Sequence, residues 1–251
     1  MSEFKVPTEV VSLPSKGLLY SESSPLSKGE IEMKYMTAKE EDILTNVNYL
    51  KNGTVIDKLL QALIVTPINF NELLVGDKNA ILIAARILGY GKDYEFNYKD
   101  PSSGEEVKAV VDLTKLEDKE VDETILTKGK NEFSFVLPVS KNEITFKLLT
   151  HGDEQSIDAE IKGLKKINPQ GSFDVTTRMK YIITSINGKR DLASIRKFVD
   201  DGYLIAKDAR SLREYYSKVS PDVKIKYYPE GVEGGIDIPI GIDFFWPDAG
   251  I

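Results

Sequence analysis

Histidine occurs once, at His151, and cysteine does not occur. One imidazole without thiols gives no Cys/His ligand set for zinc and no thiolate for nucleophilic or redox chemistry, which leaves only carboxylate sites for calcium or magnesium open in principle. His151 follows Thr150, a candidate N-cap. That places it in a first helical turn, with no serine motif or second histidine to form a relay, so a structural role is the stronger reading. The acidic groups fall into two sets, Glu40, Glu41 and Asp42 at a helix start, and Glu117, Asp118, Glu120, Asp122 and Glu123 in a charged connector. The first complements a helix dipole and the second is a solvated run. A catalytic pair needs a cleft and a partner that raises one pKa, and neither setting points to one. Gly89-Tyr90-Gly91 lacks the further glycine and preceding strand of a dinucleotide loop, and no Gly-Lys-Ser/Thr phosphate cradle occurs, so a helix C-cap explains it better. No catalytic, cofactor or metal residue is assigned, and neither enzyme activity nor a small-molecule substrate is expected.

The basic residues Lys189, Arg190, Arg196, Lys197, Arg210 and Arg213, with Tyr215 and Tyr216 nearby, are interleaved with acids. They read first as a charged helix face and second as a subunit contact. The net charge of −7 argues against neutralising phosphates as the main task, so nucleic acid is not the expected partner. The 251 residues, 41% hydrophobic and 29% charged, fit a folded chain with room for two domains. No apolar run approaches the roughly 20 residues of a membrane helix, and Met-Ser-Glu-Phe-Lys lacks a signal peptide's apolar core. The expectation is a chain made in a cytoplasm, or packed into a particle assembled there.

The spacing predicts an α+β chain. Residues 1–29, punctuated by Pro7, Pro14, Gly17, Pro25 and Gly29, read as an extended N-terminal arm. A first unit over 30–128 begins with a strand at 30–35 and a capping box at Thr37 and Glu40. A helix to about Leu50 follows, then a second from Thr54 that Pro67 closes. The apolar helix at 78–88 takes Asp77 as N-cap, and a hairpin spans 94–113 around Asp100-Pro101-Ser102-Ser103-Gly104. After the connector at 114–131, a second unit over 129–251 carries strands at 132–137 and 143–149. Its helices fall at 153–166, 175–186, 192–199 and 205–219, and its hairpin at 223–228 and 236–245.

The two units read as copies, each a helical block with a β-hairpin lobe. Residues 30–44 laid over 143–157 match at five of fifteen positions without a gap, and Asp100-Pro101-Ser102-Ser103 corresponds to Tyr228-Pro229-Glu230-Gly231. A two-fold repeat of this kind can imitate a dimer or face a symmetric partner. Clustered apolar residues near the chain ends, Leu18, Leu19 and Tyr20 and then Phe244, Phe245 and Trp246, are the interface candidates, with packing on their own half as the alternative.

Four stretches carry a family resemblance: Leu13-Pro14-Ser15-Lys16-Gly17-Leu18-Leu19-Tyr20, the run from Gly29 to Leu44, Leu88-Gly89-Tyr90-Gly91, and Phe244-Phe245-Trp246-Pro247. In this order the chain resembles the baseplate hub proteins of T4-like bacteriophages. The resemblance implies a structural or assembly component of a contractile tail baseplate, in the virion, whose partners are other hub or wedge subunits and whose termini order on contact. It also implies Cys-Pro-x-Cys knuckles at two hairpin turns in some members. Here Asp100, Ser103, Tyr228 and Gly231 hold those positions, so packing must do the work of a zinc. A transient tail-assembly chaperone and a nucleic-acid-binding or enzymatic accessory factor are the alternatives.

Overall fold

Ile31 and Met33 alternate with Glu30, Glu32 and Lys34, which gives one core face and one wet face. In the computed structural model, which describes residues 5–245, this stretch is strand β2 (Glu30–Lys34) with Ile31 and Met33 buried. It pairs antiparallel with β1 (Thr8–Ser12), from Thr8 opposite Lys34 to Ser12 opposite Glu30. The extended arm is therefore partly a sheet edge. Its remainder folds back as turns that bury Leu13, Leu19, Tyr20 and Leu26.

Helix α1 (Ala38–Leu44) starts at the capping box, where the Glu40 carboxylate accepts from the Thr37 N–H at 3.0 Å and hydroxyl at 2.6 Å. The helix expected to run on to Leu50 is instead broken. The Asn46 side chain accepts from the N–H groups of Asn48 and Tyr49 and so opens a new helix, α2 (Val47–Asn52). Next, α3 (Val55–Leu63) turns Val55, Leu59, Leu60 and Leu63 inward, each burial contributing about 1.5–3 kcal/mol. The chain leaving α3 returns along β2, with Ile64 bridged to Met33 and the Val65 N–H donating to the Glu32 carbonyl.

Helix α4 (Val75–Tyr90) is the long apolar helix, ending at Gly91 with φ of 85°. Its N-cap is Leu74, and Asp77, expected to cap it, lies fully buried as the third helical residue. The hairpin β3 (Asp93–Lys99) and β4 (Glu106–Asp112) follows in the expected place. The connector is woven into the second half. Asp118 bridges to Val223, and the Lys119 and Lys224 N–H groups donate to the carbonyls of Asp222 and Glu117.

The second half runs β5 (Phe133–Val136), β6 (Glu143–Phe146), α5 (His151–Ile167), α6 (Asp174–Ile182), β7 (Ile183–Ile186), α7 (Leu192–Asp200), α8 (Ala206–Val219), β8 (Lys226–Tyr227) and β9 (Ile236–Asp237). Its main sheet is antiparallel in the order β5-β6-β7. The helix expected to reach Ile186 stops at Ile182, because Ile183-Thr184-Ser185-Ile186 is largely β-branched and pairs with β6. The last hairpin keeps two residues per strand, and Asp243–Phe245 forms a 3-10 turn. Buried side chains of both halves join one continuous cluster, so the two halves share a core.

Candidate assembly surfaces

Three polar or aromatic contacts organise the chain, the first within each half and the other two between the halves. The first closes the β1–β2 turn on α4. Asp77 accepts from the Ser15 N–H at 2.9 Å, the Ser15 hydroxyl at 2.7 Å and the Tyr20 hydroxyl at 2.6 Å, and the Tyr20 oxygen accepts the Leu74 N–H at 2.9 Å. Burial pushes the Asp77 carboxyl above its ordinary pKa, and the three donors only partly offset it. The β5–β6 turn closes on α8 in the same way. Asp208, also fully buried and also the third residue of its helix, accepts from the N–H groups of Val139 at 2.8 Å and Ser140 at 3.0 Å. Burial works against its charge too, but the two N–H groups prevail and hold it below the ordinary carboxylate range.

The second contact seats the start of α5 on the first half. The His151 N–H donates to the Leu73 carbonyl at 2.7 Å and the Val75 N–H to the Leu149 carbonyl at 3.1 Å. The His151 ring meets Phe70 edge-on with centroids 4.5 Å apart. Its Nδ1 lies 3.0 Å from Lys78 Nζ, and its Nε2 faces Asp57 Oδ2 at 3.3 Å without an aligned hydrogen bond. An ammonium only donates, so Nδ1 is the acceptor and the proton sits on Nε2. Asp57 is disfavoured by burial, yet His151 and Lys78 lower its pKa to about 2. His151 thus sits in the contact between α5 and the first half.

The third is an aromatic seam, with Tyr94 against Phe244 at 4.8 Å and Tyr227 against Phe96 and Tyr98, both at 5.9 Å. Beside it the Arg86 guanidinium donates to the carbonyls of Gly91 and Asp93 and stacks over Tyr90 and Tyr94. Of the proposed interface residues, Leu19, Tyr20, Phe244 and Phe245 are buried in the chain's own core, and Leu18 is half-buried. They fill internal contacts and offer no open patch. Trp246 lies outside the described residues. Three of the six interleaved basic residues form ion pairs within the chain: Arg190 clamps Glu132 and Arg196 clamps Glu160, both through two nitrogens, and Arg210 meets Glu214 one turn on.

An open apolar surface lies elsewhere, on the second half. Val175, 53% exposed, lines a cavity of about 240 Å³ between α6 and α8 with Met179, Leu204, Ala209 and Arg213, and Tyr203 and Ile205, 57% and 40% exposed, flank Leu204 in the chain. Single-residue patterns did not single it out, because its apolar groups come from three separate segments. Among the described residues no cluster of histidine and carboxylates could hold a metal ion, and no helix is long and apolar enough to cross a membrane.

Residues 12–185 match the family model described as T4 bacteriophage base plate protein. The chain belongs to that family. The match runs from the β1–β2 hairpin, through the Asp77 anchor and the α5 docking contact, to β7. It thus includes the polar contact that seats the start of α5 beside the start of α4. Comparison with curated proteins and with solved structures gives no match. As a baseplate protein, its place is the phage tail and its partners are phage structural proteins.

Proposed function

We propose that this baseplate protein is a structural component of the hub, retained in the virion, and that it works through protein–protein contacts rather than through an active site. The observation that carries this is the exposed apolar residues Val175, Tyr203 and Ile205 beside the α6–α8 cavity of the second half. Such surface costs solubility unless a partner covers it in the particle. The conspicuous polar clusters support the same reading. Asp77, Asp208 and the Asp57–Lys78–His151 group are each committed to backbone or side-chain partners that join elements, which is what a scaffold needs.

Quantitative mass spectrometry of purified virions beside baseplate precursors tests it. Stoichiometric peptides in both are the expected result. Presence in precursors alone overturns retention in favour of a transient assembly factor, and absence from both overturns the hub assignment.

A further inference from the structure

The halves share more than their element order. Leu13-Pro14 opens the first hairpin turn and Leu137-Pro138 the second, and each turn has a lysine at positive φ, Lys16 at 50° and Lys141 at 60°. Each turn is closed by the third residue of a later helix, Asp77 in α4 and Asp208 in α8. Lys34 meets Glu40 beneath the first capping box and Lys147 meets Asp153 beneath the second, at 2.8 and 2.7 Å. Each central strand then takes back the chain that leaves the next inward-facing helix, Met33 opposite Ile64 and Phe146 opposite Ile183.

This correspondence lays α3 over α6 and the start of α4 over the start of α8. Ile56 then falls on Val175, Val75 on Ala206, Lys78 on Ala209 and Leu82 on Arg213. A cavity between α3 and α4 is lined by the first set, and one between α6 and α8 by the second, so the two are the same groove in the two halves. In the first half the groove is occupied along one side. The β6–α5 junction, Leu149 to Gly152, lies against residues 71–75 and buries Leu73 and Leu74. In the second half the corresponding segment is 202–206, where Leu204 is only partly buried and Ile205 is exposed.

We propose that a second copy of this chain fills the vacant groove with its β2–α1 junction, residues 36–42, in a head-to-tail contact. That junction is the counterpart of the one already docked: Met36 stands for Leu149, Thr37 for Thr150, Ala38 for His151 and Lys39 for Gly152. The differences are matched on the receiving side. His151 meets the polar pair Asp57 and Lys78, whereas Ala38 would meet Thr176 and Ala209. Gly152 sits so close to Asn71 that an added Cβ would lie 3.1 Å from the Asn71 Cβ, whereas Lys39 would face Gly202, which has none. The charges agree as well. Glu41 and Asp42 are exposed on the junction, and Arg213 is exposed at the groove without an ion pair among the described residues. A contact between two different surfaces of one chain leaves a free groove at one end and a free junction at the other, so it builds a ring or a filament. The proposal rests on the reading that the chain acts through its surfaces, and names the partner.

Sedimentation velocity of the full chain over a concentration series tests it, with circular dichroism to confirm that each variant folds. The wild type should show mass growing with concentration. Ile205→Glu at the groove and Asp42→Arg at the junction should each stay monomeric alone, yet form a heterodimer when mixed, since each retains the surface that the other lacks. A wild type monomeric throughout, variants that assemble as the wild type does, or a mixture without heterodimer would each overturn the head-to-tail contact. Should it fail while virions still hold the chain in stoichiometric amount, the hub reading stands and the groove belongs to a different subunit.

Discussion

Asp77 and Asp208 occupy the same helical position and close the same kind of turn, yet their carboxyls shift in opposite directions. The difference lies in what surrounds them. Asp77 is enclosed by the longer β1–β2 turn, whose inserted residues bring the Tyr20 hydroxyl over it. Asp208 faces the short β5–β6 turn and receives two backbone N–H groups, with Lys141 adding a favourable charge. One device thus serves two environments, and the enclosed one depends on more partners. Asp77→Ala should therefore have the largest effect, about 3–5 kcal/mol, because it strands the Ser15 N–H and two hydroxyls in the core. Asp208→Ala should cost less, about 2–3 kcal/mol, with two N–H groups near the surface losing their acceptor. Urea midpoints at constant slope would measure both, and a larger loss for Asp208→Ala would reverse the ranking.

The pH dependence sharpens the same contrast. Asp77 has a folded-state pKa above its unfolded value, so its contribution is full below the unfolded pKa and is lost as pH rises through the folded one. Asp208 has a depressed pKa, so its contribution is present above the unfolded value and is lost as pH falls through the folded one. Asp77→Asn should remove a decline in stability on raising pH from about 4, and Asp208→Asn a decline on lowering pH below about 4. Unfolding free energies across that range for both variants give the check. Identical slopes would mean that the two sites titrate alike.

Local chemistry made part of this architecture legible. Thr37 and Glu40 announce α1 because both halves of the capping box lie within one turn, and Ile31 and Met33 announce β2 by their alternation. Legibility failed where a distant residue decides. Asp77 looks like an N-cap, but it is taken up by Ser15 and Tyr20, far back in the chain, and the helix begins earlier at Leu74. Ile183 to Ile186 continues a helical pattern until β6 offers it hydrogen bonds. Phe244 and Phe245 fit an interface and internal packing equally well in the sequence, until Tyr94 and the core receive them. The open groove was the least visible feature, since Val175, Leu204 and Ala209 come together only after α6, α7 and α8 have packed.

The smallest expected effects fall at the two capping boxes, and they bear on the docking contact directly. Thr37 and Thr150 donate to Glu40 and Asp153 through hydroxyl and backbone alike, so Thr37→Ala and Thr150→Ala should each cost about 1 kcal/mol as caps. The Thr150 main chain also bridges to Leu74 of the first half, a contact that side-chain truncation leaves in place, whereas Thr37 makes no such bridge. In dilute solution the two variants should therefore lose about the same in thermal unfolding. At concentrations where copies associate, both variants should gain in unfolding temperature as the wild type does, because the main chain of the β2–α1 junction is then docked as that of Thr150 always is. An unfolding temperature that stays constant with concentration would mean that the β2–α1 junction has no second copy to rest on.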